Sequence, residues 1–210
     1  MRIEGNYNFK PRSEKSKIGW YSRGYLPHFD GGETTQFITA RLFDSLPQEV
    51  LVKWRKQLEE ENEFDVDMIL RKRVELYLDQ GFGECFFKNA KVAETVQNAL
   101  LFHDGAKYKL HSWTIMPNHI HFLLTPNKAF ALEEIVHSIK SFSANQANKI
   151  LGRKGIFWQH EPFDRYIRNR QHFVNVIKYI ENNPVKAKLC EKPEDWKYSS
   201  AHYRMSQSRD

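Results

Sequence analysis

Two histidines one residue apart, His119 and His121, stand in the run Asn118-His119-Ile120-His121-Phe122-Leu123-Leu124. On an extended backbone side chains alternate, so both imidazoles share one face while Ile120 and Phe122 share the other. Paired imidazoles suit a borderline divalent ion that draws its remaining ligands from elsewhere. A second pair, Tyr179 and Asn183, lies in Val176-Ile177-Lys178-Tyr179-Ile180-Glu181-Asn182-Asn183-Pro184. Four residues make about one helical turn, so the phenol and the amide project side by side. A phenolic oxygen can break a phosphodiester by becoming covalently attached to one strand end, which conserves the bond energy for rejoining. With an ordinary pKa near 10 the phenol needs help at neutral pH. A divalent ion on the scissile phosphate supplies that help by neutralising developing charge. Each motif alone has a plain structural reading, as surface or core histidines and as a packed ring beside a helix stop. Together they make up a nucleophile, two ligands and a nearby amide.

These residues need elements to position them. Thr34 to Leu42 (TTQFITARL) is rich in β-branched and aromatic residues and reads as a strand. Pro47 opens a helix running to about Asn62, and a second covers about Asp65 to Asp79. Both are highly charged. Glu84 to Phe87 reads as a short strand, and Asn89 caps a helix carrying Val92, Val96, Ala99 and Leu100 on one face. Tyr108–Met116 and His119–Thr125 read as strands separated by the turn dipeptide Pro117-Asn118. A helix follows from about Leu132 to Leu151, and then Ile156 to Ile167, extended or irregular. The last clear helix begins near Gln171 and is expected to stop close to Asn183, because Pro184 disfavours the helical conformation in its predecessor. Phe173, Val176, Ile177 and Ile180 form its apolar stripe, with Tyr179 at the border. The expected organisation is one α+β domain over 34–204, with inserted charged helices at 47–79, a basic aromatic arm at 1–33 and a tail at 205–210.

The chain has 210 residues and a formal net charge of +6, with 32 Lys and Arg against 26 Asp and Glu. That surplus favours a polyanionic partner, because cations placed on phosphates release condensed counterions. No apolar run approaches the roughly 20 residues needed to cross a bilayer. The two cysteines, Cys85 and Cys190, form neither a CxxC pair nor a disulfide framework, which fits a reducing cytoplasmic compartment.

Over most of its length the sequence resembles the REP-associated tyrosine transposases, within the larger group of His-hydrophobic-His, single-tyrosine transposases acting on single-stranded DNA. The resemblance is carried by GWYSRGYLPHFD (19–30), QFITARLFDSLP (36–47), MPNHIHFLL (116–124), FWQHEPFDRYIRN (157–169), YIENNPVKAKL (179–189) and DWKYSS (195–200). It implies a ferredoxin-like, RRM-like antiparallel sheet flanked by helices. It further implies Mg2+ or Mn2+ held by His119 and His121, with Asn183 as third ligand and Asn182 as the neighbouring candidate. Tyr179 would form a 5′-phosphotyrosine and leave a free 3′ hydroxyl on stem-loop DNA, and relatives act as monomers or as dimers with shared sites.

Arg165, Arg168, Arg170, Lys178 and Lys186 surround the proposed nucleophile and are candidate phosphate contacts, with Trp158, Phe163 and Tyr166 as stacking faces. Arg23 in the arm is a further candidate. His111, Tyr198 and Tyr203 read as structural. Two other functions fit the same residues. One is a non-catalytic hairpin-binding protein on the same fold. The other is a metal-dependent hydrolase activating water, which generally needs more His or Asp ligands than the sequence offers.

Overall fold

A computed structural model of the chain describes residues 19–22 and 27–208. Its centre is a four-stranded antiparallel sheet built from β3 (Gln36–Arg41), β4 (Tyr108–Ile115), β5 (His119–Pro126) and β6 (Phe163–Tyr166), in the order β4-β5-β3-β6. Helices α1 (Gln48–Glu60), α2 (Val66–Leu78) and α3 (Ala90–Leu101) lie between β3 and β4, and α4 (Leu132–Ile150) joins β5 to β6. This is the expected ferredoxin-like arrangement, with the first and third strands of the core at the centre. A short pair, β1 (Gly19–Ser22) with β2 (Pro27–Asp30), precedes it. Helices α5 (Arg170–Lys186) and α6 (Ser200–Gln207) complete the chain.

Both faces of the sheet are buried, for different purposes. Ile38, Ala40, Ile120, Phe122 and Trp113 point into the main core beneath α3 and α4, with Val92, Val96, Ile135 and Ile139. The alternate residues point the other way, where Leu123 packs on Val176 and Ile180 of α5. The two-residue period thus places His119 and His121 with Leu123 on the face covered by α5. Direct cross-strand pairing puts Arg41 opposite His119, Thr39 opposite His121 and Phe37 opposite Leu123. Phe163 and Arg165 of β6 pair with Thr39 and Phe37 and share that face.

The inserted helices have a core of their own. Leu51 and Leu58 of α1 meet Leu70, Val74 and Leu78 of α2, and the cluster joins the sheet through Leu46 and Phe163. Arg55 ties the two helices with a 2.7 Å contact to Asp67. The hairpin therefore stands on the α5 side of the sheet, at its β3–β6 edge.

The structure differs from expectation at four places. The segment expected as a strand at 84–87 is a 3-10 turn over Phe86–Lys88, because Cys85 adopts a left-handed φ of 51° and breaks the extended path. The stretch 156–167, expected as extended or irregular, contains β6, a strand defined by its pairing with β3. Helix α5 passes through Pro184 and ends at Lys186 instead of stopping at Asn183. Proline removes one donor there, but its φ is compatible with a helix, and the carbonyls of Asn183 and Pro184 are taken by the amides of Ala187 and Leu189 at 2.9 Å. The fourth is α6, capped by the Ser199 side chain and fastened to β4 by Ser200, whose hydroxyl meets Ser112 at 2.9 Å.

Candidate active site

The turn Pro117-Asn118 and the start of β5 hold His119 and His121 in a fixed posture, both essentially excluded from solvent. Asn118 donates its amide hydrogen to the Phe82 carbonyl at 2.9 Å, which turns its oxygen toward His119 Nδ1 at 2.7 Å. That acceptor places the proton of His119 on Nδ1 and the lone pair on Nε2. His121 Nδ1 lies 2.7 Å from the Thr39 hydroxyl, a group that both accepts and donates. The two Nε2 atoms then face each other at 3.2 Å. In this state one donates to the other. When Thr39 accepts from His121 Nδ1, both Nε2 lone pairs converge on one point, the outer-shell orientation common to metal-binding histidines.

Burial favours the neutral imidazole at both positions. It pushes His119 down to about 3 and His121 well below the ordinary value, with the charge of Lys186 acting in the same direction and His119 adding to the effect on His121. A neutral ring is the form that ligates. The same shifts set an acid sensitivity. Both folded-state values are depressed, so the unfolded chain binds more protons once pH falls below about 6.5, and stability is present above that value and lost beneath it. Urea midpoints of the metal-free protein are expected to fall from pH 7.5 to pH 4.5 with a slope that His119→Ala reduces. An unchanged slope in that variant would contradict the assignment.

Helix α5 brings the second pair of side chains to this spot. The Tyr179 and His121 rings stand 5.5 Å apart, edge to face, and Phe37 lies 5.8 Å from the Tyr179 ring and 5.5 Å from that of His121. The Tyr179 hydroxyl is buried and makes no complete hydrogen bond. Its polar neighbours are the Glu75 carboxyl of α2 and the Asn183 amide. Burial first, and then the negative charges of Glu75 and Asp79, raise its pKa far above that of a free phenol. Asn183 is 1% exposed, and neither its Oδ1 nor its Nδ2 has a hydrogen-bond partner. Asn182, about a hundred degrees round the helix, is exposed and spends its amide on the Lys178 carbonyl. Of the two candidates, Asn183 alone is turned inward.

Among the described residues no group of three or more His, Cys, Asp or Glu side chains converges on one point. A metal here would have two imidazoles and needs a different third donor, for which the unpartnered oxygen of Asn183 is the available buried group. The donor set fits a divalent ion that keeps positions open for substrate oxygens. Asn118→Ala would free the His119 ring, and Mn2+ affinity is expected to fall about 10- to 100-fold, as when other outer-shell partners are removed. Titration calorimetry checks this, and unchanged affinity would show that the asparagine does not orient a ligand.

A cleft of about 550 Å³ opens beside Tyr179, between α2, α5 and the β6 edge. Phe37, Thr39, Arg71, Glu75, Arg165, Tyr166, Arg168 and Tyr179 are among its walls. Arg165 and Arg168 are exposed, and the Arg168 guanidinium lies 5.7 Å from the Tyr166 ring centre. Arg170 and Lys178 are exposed elsewhere on α5 and do not line the cleft. Lys186 is bound to Asp79 of α2 at 3.1 Å and sits 5.9 Å from the Tyr179 ring centre. Arg23 lies outside the described residues. Of the three aromatic faces expected to stack, Trp158 is buried in the main core away from the cleft, Phe163 lines the cleft but is buried in the core of the inserted helices, and Tyr166 is the more open face on it.

Residues 85–183 match the model of a family described as "Transposase IS200 like". That segment begins after the inserted helices and takes in His119, His121, Tyr179 and Asn183. Over that segment the chain is similar to IS200-like transposases. A search of curated proteins gives no match. Among solved structures, the chain is similar to one described as a REP-associated tyrosine transposase bound to a REP hairpin. The TM-score is 0.53 at 18% identity, covering 86% of this chain and 84% of that one, which shows a shared fold. A putative transposase from Deinococcus radiodurans R1 aligns at 15% identity over 78% of this chain and 96% of that one, but its TM-score of 0.35 carries no argument.

Sequence reasoning missed three contributors to the candidate site. Thr39 looks like any strand threonine, and only the β3–β5 register places it on His121. Arg71 and Glu75 sit in a charged helix whose solvated appearance hides the face turned toward α5. The signal that could have found them is their spacing, four residues apart on one side of α2, adjoining the Leu70-Val74-Leu78 stripe.

Proposed function

We propose that this protein cleaves and rejoins single-stranded DNA at hairpin elements, through a 5′-phosphotyrosine on Tyr179 and with a divalent ion, Mg2+ or Mn2+, held by His119, His121 and Asn183. The observation that carries this reading is the 5.5 Å approach of the Tyr179 ring to His121 within a single chain. The phenol and the imidazole pair need no partner subunit to meet.

The residues divide the work. Tyr179 attacks the phosphorus, its oxygen bonds to the 5′-side phosphate, and the bond to O3′ breaks with its electron pair left on O3′. A bound ion would polarise the non-bridging oxygens and offset charge built up there. Asn118 and Thr39 keep the imidazoles aimed, and the covalent link conserves the bond energy for rejoining. Arg165 and Arg168 guide the strand along the cleft by phosphate contact, and Tyr166 offers a stacking face. A hairpin as the DNA partner is supported by the similar solved structure, which holds a REP hairpin.

The test is a labelled hairpin oligonucleotide with an unpaired flank, incubated with Mg2+ or Mn2+ and resolved under denaturing conditions. A labelled band at the protein's mass that persists in SDS and disappears with chelator is expected. Cleavage without attached protein would point instead to water activation, and binding without cleavage across metals to a non-catalytic hairpin binder.

A further inference from the structure

The inserted helices place a carboxylate against the nucleophile. Glu75 of α2 and Tyr179 of α5 line the same cleft, and Glu75 is one of the two polar neighbours of the buried phenolic hydroxyl. The helices are pinned at this level by a contact outside the cleft. Asp79, one turn after Glu75, meets Lys186, two turns after Tyr179, at 3.1 Å. Glu75 lies outside the segment matched by the family model.

We propose that Glu75 is the proton acceptor for the Tyr179 hydroxyl, so that the inserted helix α2 supplies the general base of the strand-cleavage reaction. This rests on the reading of Tyr179 as nucleophile. In the forward step the Tyr179 oxygen–phosphorus bond forms, the phosphorus–O3′ bond breaks, the phenolic proton passes to the Glu75 carboxylate, and O3′ takes a proton from solvent. In rejoining, the 3′ hydroxyl gives its proton to solvent as O3′ bonds to phosphorus, the bond from phosphorus to the Tyr179 oxygen breaks, and Glu75 returns its proton to the departing phenol. Partial burial raises the affinity of Glu75 for a proton, which makes it a stronger base than a surface carboxylate. Lys186, Arg71 and Asp79 are the other charged groups acting on Glu75, and the two cations limit that rise. The other polar groups near the phenol, His119, His121 and Asn183, do not serve this role as well. His119 and His121 have their Nε2 lone pairs committed to each other or to a metal, and amides do not accept protons at neutral pH.

The experiment follows single-turnover formation of the covalent adduct on a hairpin oligonucleotide with Mn2+, for wild type, Glu75→Gln, Glu75→Asp and Tyr179→Phe. Glu75→Gln is expected to slow adduct formation about 10²- to 10⁴-fold, the usual contribution of a positioned base, with hairpin affinity and urea midpoint unchanged. Glu75→Asp is expected to restore part of the rate. The decisive arm replaces Tyr179 with trifluorotyrosine, whose phenol is more acidic and depends less on a base. The Glu75→Gln defect should shrink in that background. A defect of the same size there would mean that Glu75 only supports the fold, and a wild-type rate in Glu75→Gln would overturn the proposal outright. An adduct formed by Tyr179→Phe would defeat the nucleophile assignment instead, and so separates the two failures.

Discussion

Replacing His121 with alanine is expected to abolish DNA cleavage, by about 10³-fold or more, while leaving hairpin binding within a few-fold of wild type. The size follows from what the ring does. It is one of the two imidazoles that face each other there, and with His119 alone an ion has lost the converging Nε2 pair separated by 3.2 Å. Losing an ion that stabilises transition-state charge by several kcal/mol costs about tenfold in rate for each 1.36 kcal/mol. In the proposed function hairpin affinity rests on Arg165, Arg168 and other surface cations, which the substitution does not touch. Stability should also fall, since the ring is buried between Thr39, Phe37 and Tyr179, and emptying such a site leaves a cavity costing roughly 2–4 kcal/mol. Folding is therefore checked alongside, by urea midpoint at the assay temperature. A folded His121→Ala protein that still cleaves in Mg2+ at near wild-type rate would remove the metal from the account.

Tyr179→Phe is expected to eliminate the covalent adduct entirely and to leave the protein as stable as wild type, or more stable by about 1 kcal/mol. The gain has a local cause. The phenolic hydroxyl is buried, lacks a complete hydrogen bond and lies against the Glu75 carboxyl, and deleting an unsatisfied buried polar group removes its desolvation cost. The ring itself keeps its contacts with Phe37 and His121. Activity lost together with stability kept or gained is the pattern of a group retained for chemistry. If the variant lost several kcal/mol of stability, the hydroxyl would be a structural anchor.

How far the sequence disclosed this site depended on which force defined each part. Periodicity alone placed His119 and His121 on one face of a strand and Tyr179 beside Asn183 on a helix, because a two-residue or four-residue spacing is a local property. It could not choose between Asn182 and Asn183, which differ by one step of the helix. That choice belongs to packing: Asn183 is covered and Asn182 faces solvent. Strand β6 was illegible for the same reason. Phe163-Asp164-Arg165-Tyr166 has no clean alternation, and its strand character comes from pairing with β3. Pro184 misled in the opposite direction. A local rule against helix before proline gave way to the cover that α5 forms over β5, through Val176 and Ile180 on Leu123. The inserted helices read correctly as helices at 48–60 and 66–78, but the side of α2 turned to the cleft could be known only once α5 was in place.

The proposed chemistry puts the DNA on one atom, the Tyr179 phenolic oxygen. Digesting the hairpin adduct with trypsin and nuclease and sequencing the nucleotide-bearing peptide by mass spectrometry should place a 5′-linked nucleotide on Tyr179, within the stretch Tyr179-Ile180-Glu181-Asn182-Asn183. A nucleotide found on Tyr198 or Tyr203, or on any residue outside α5, would contradict it.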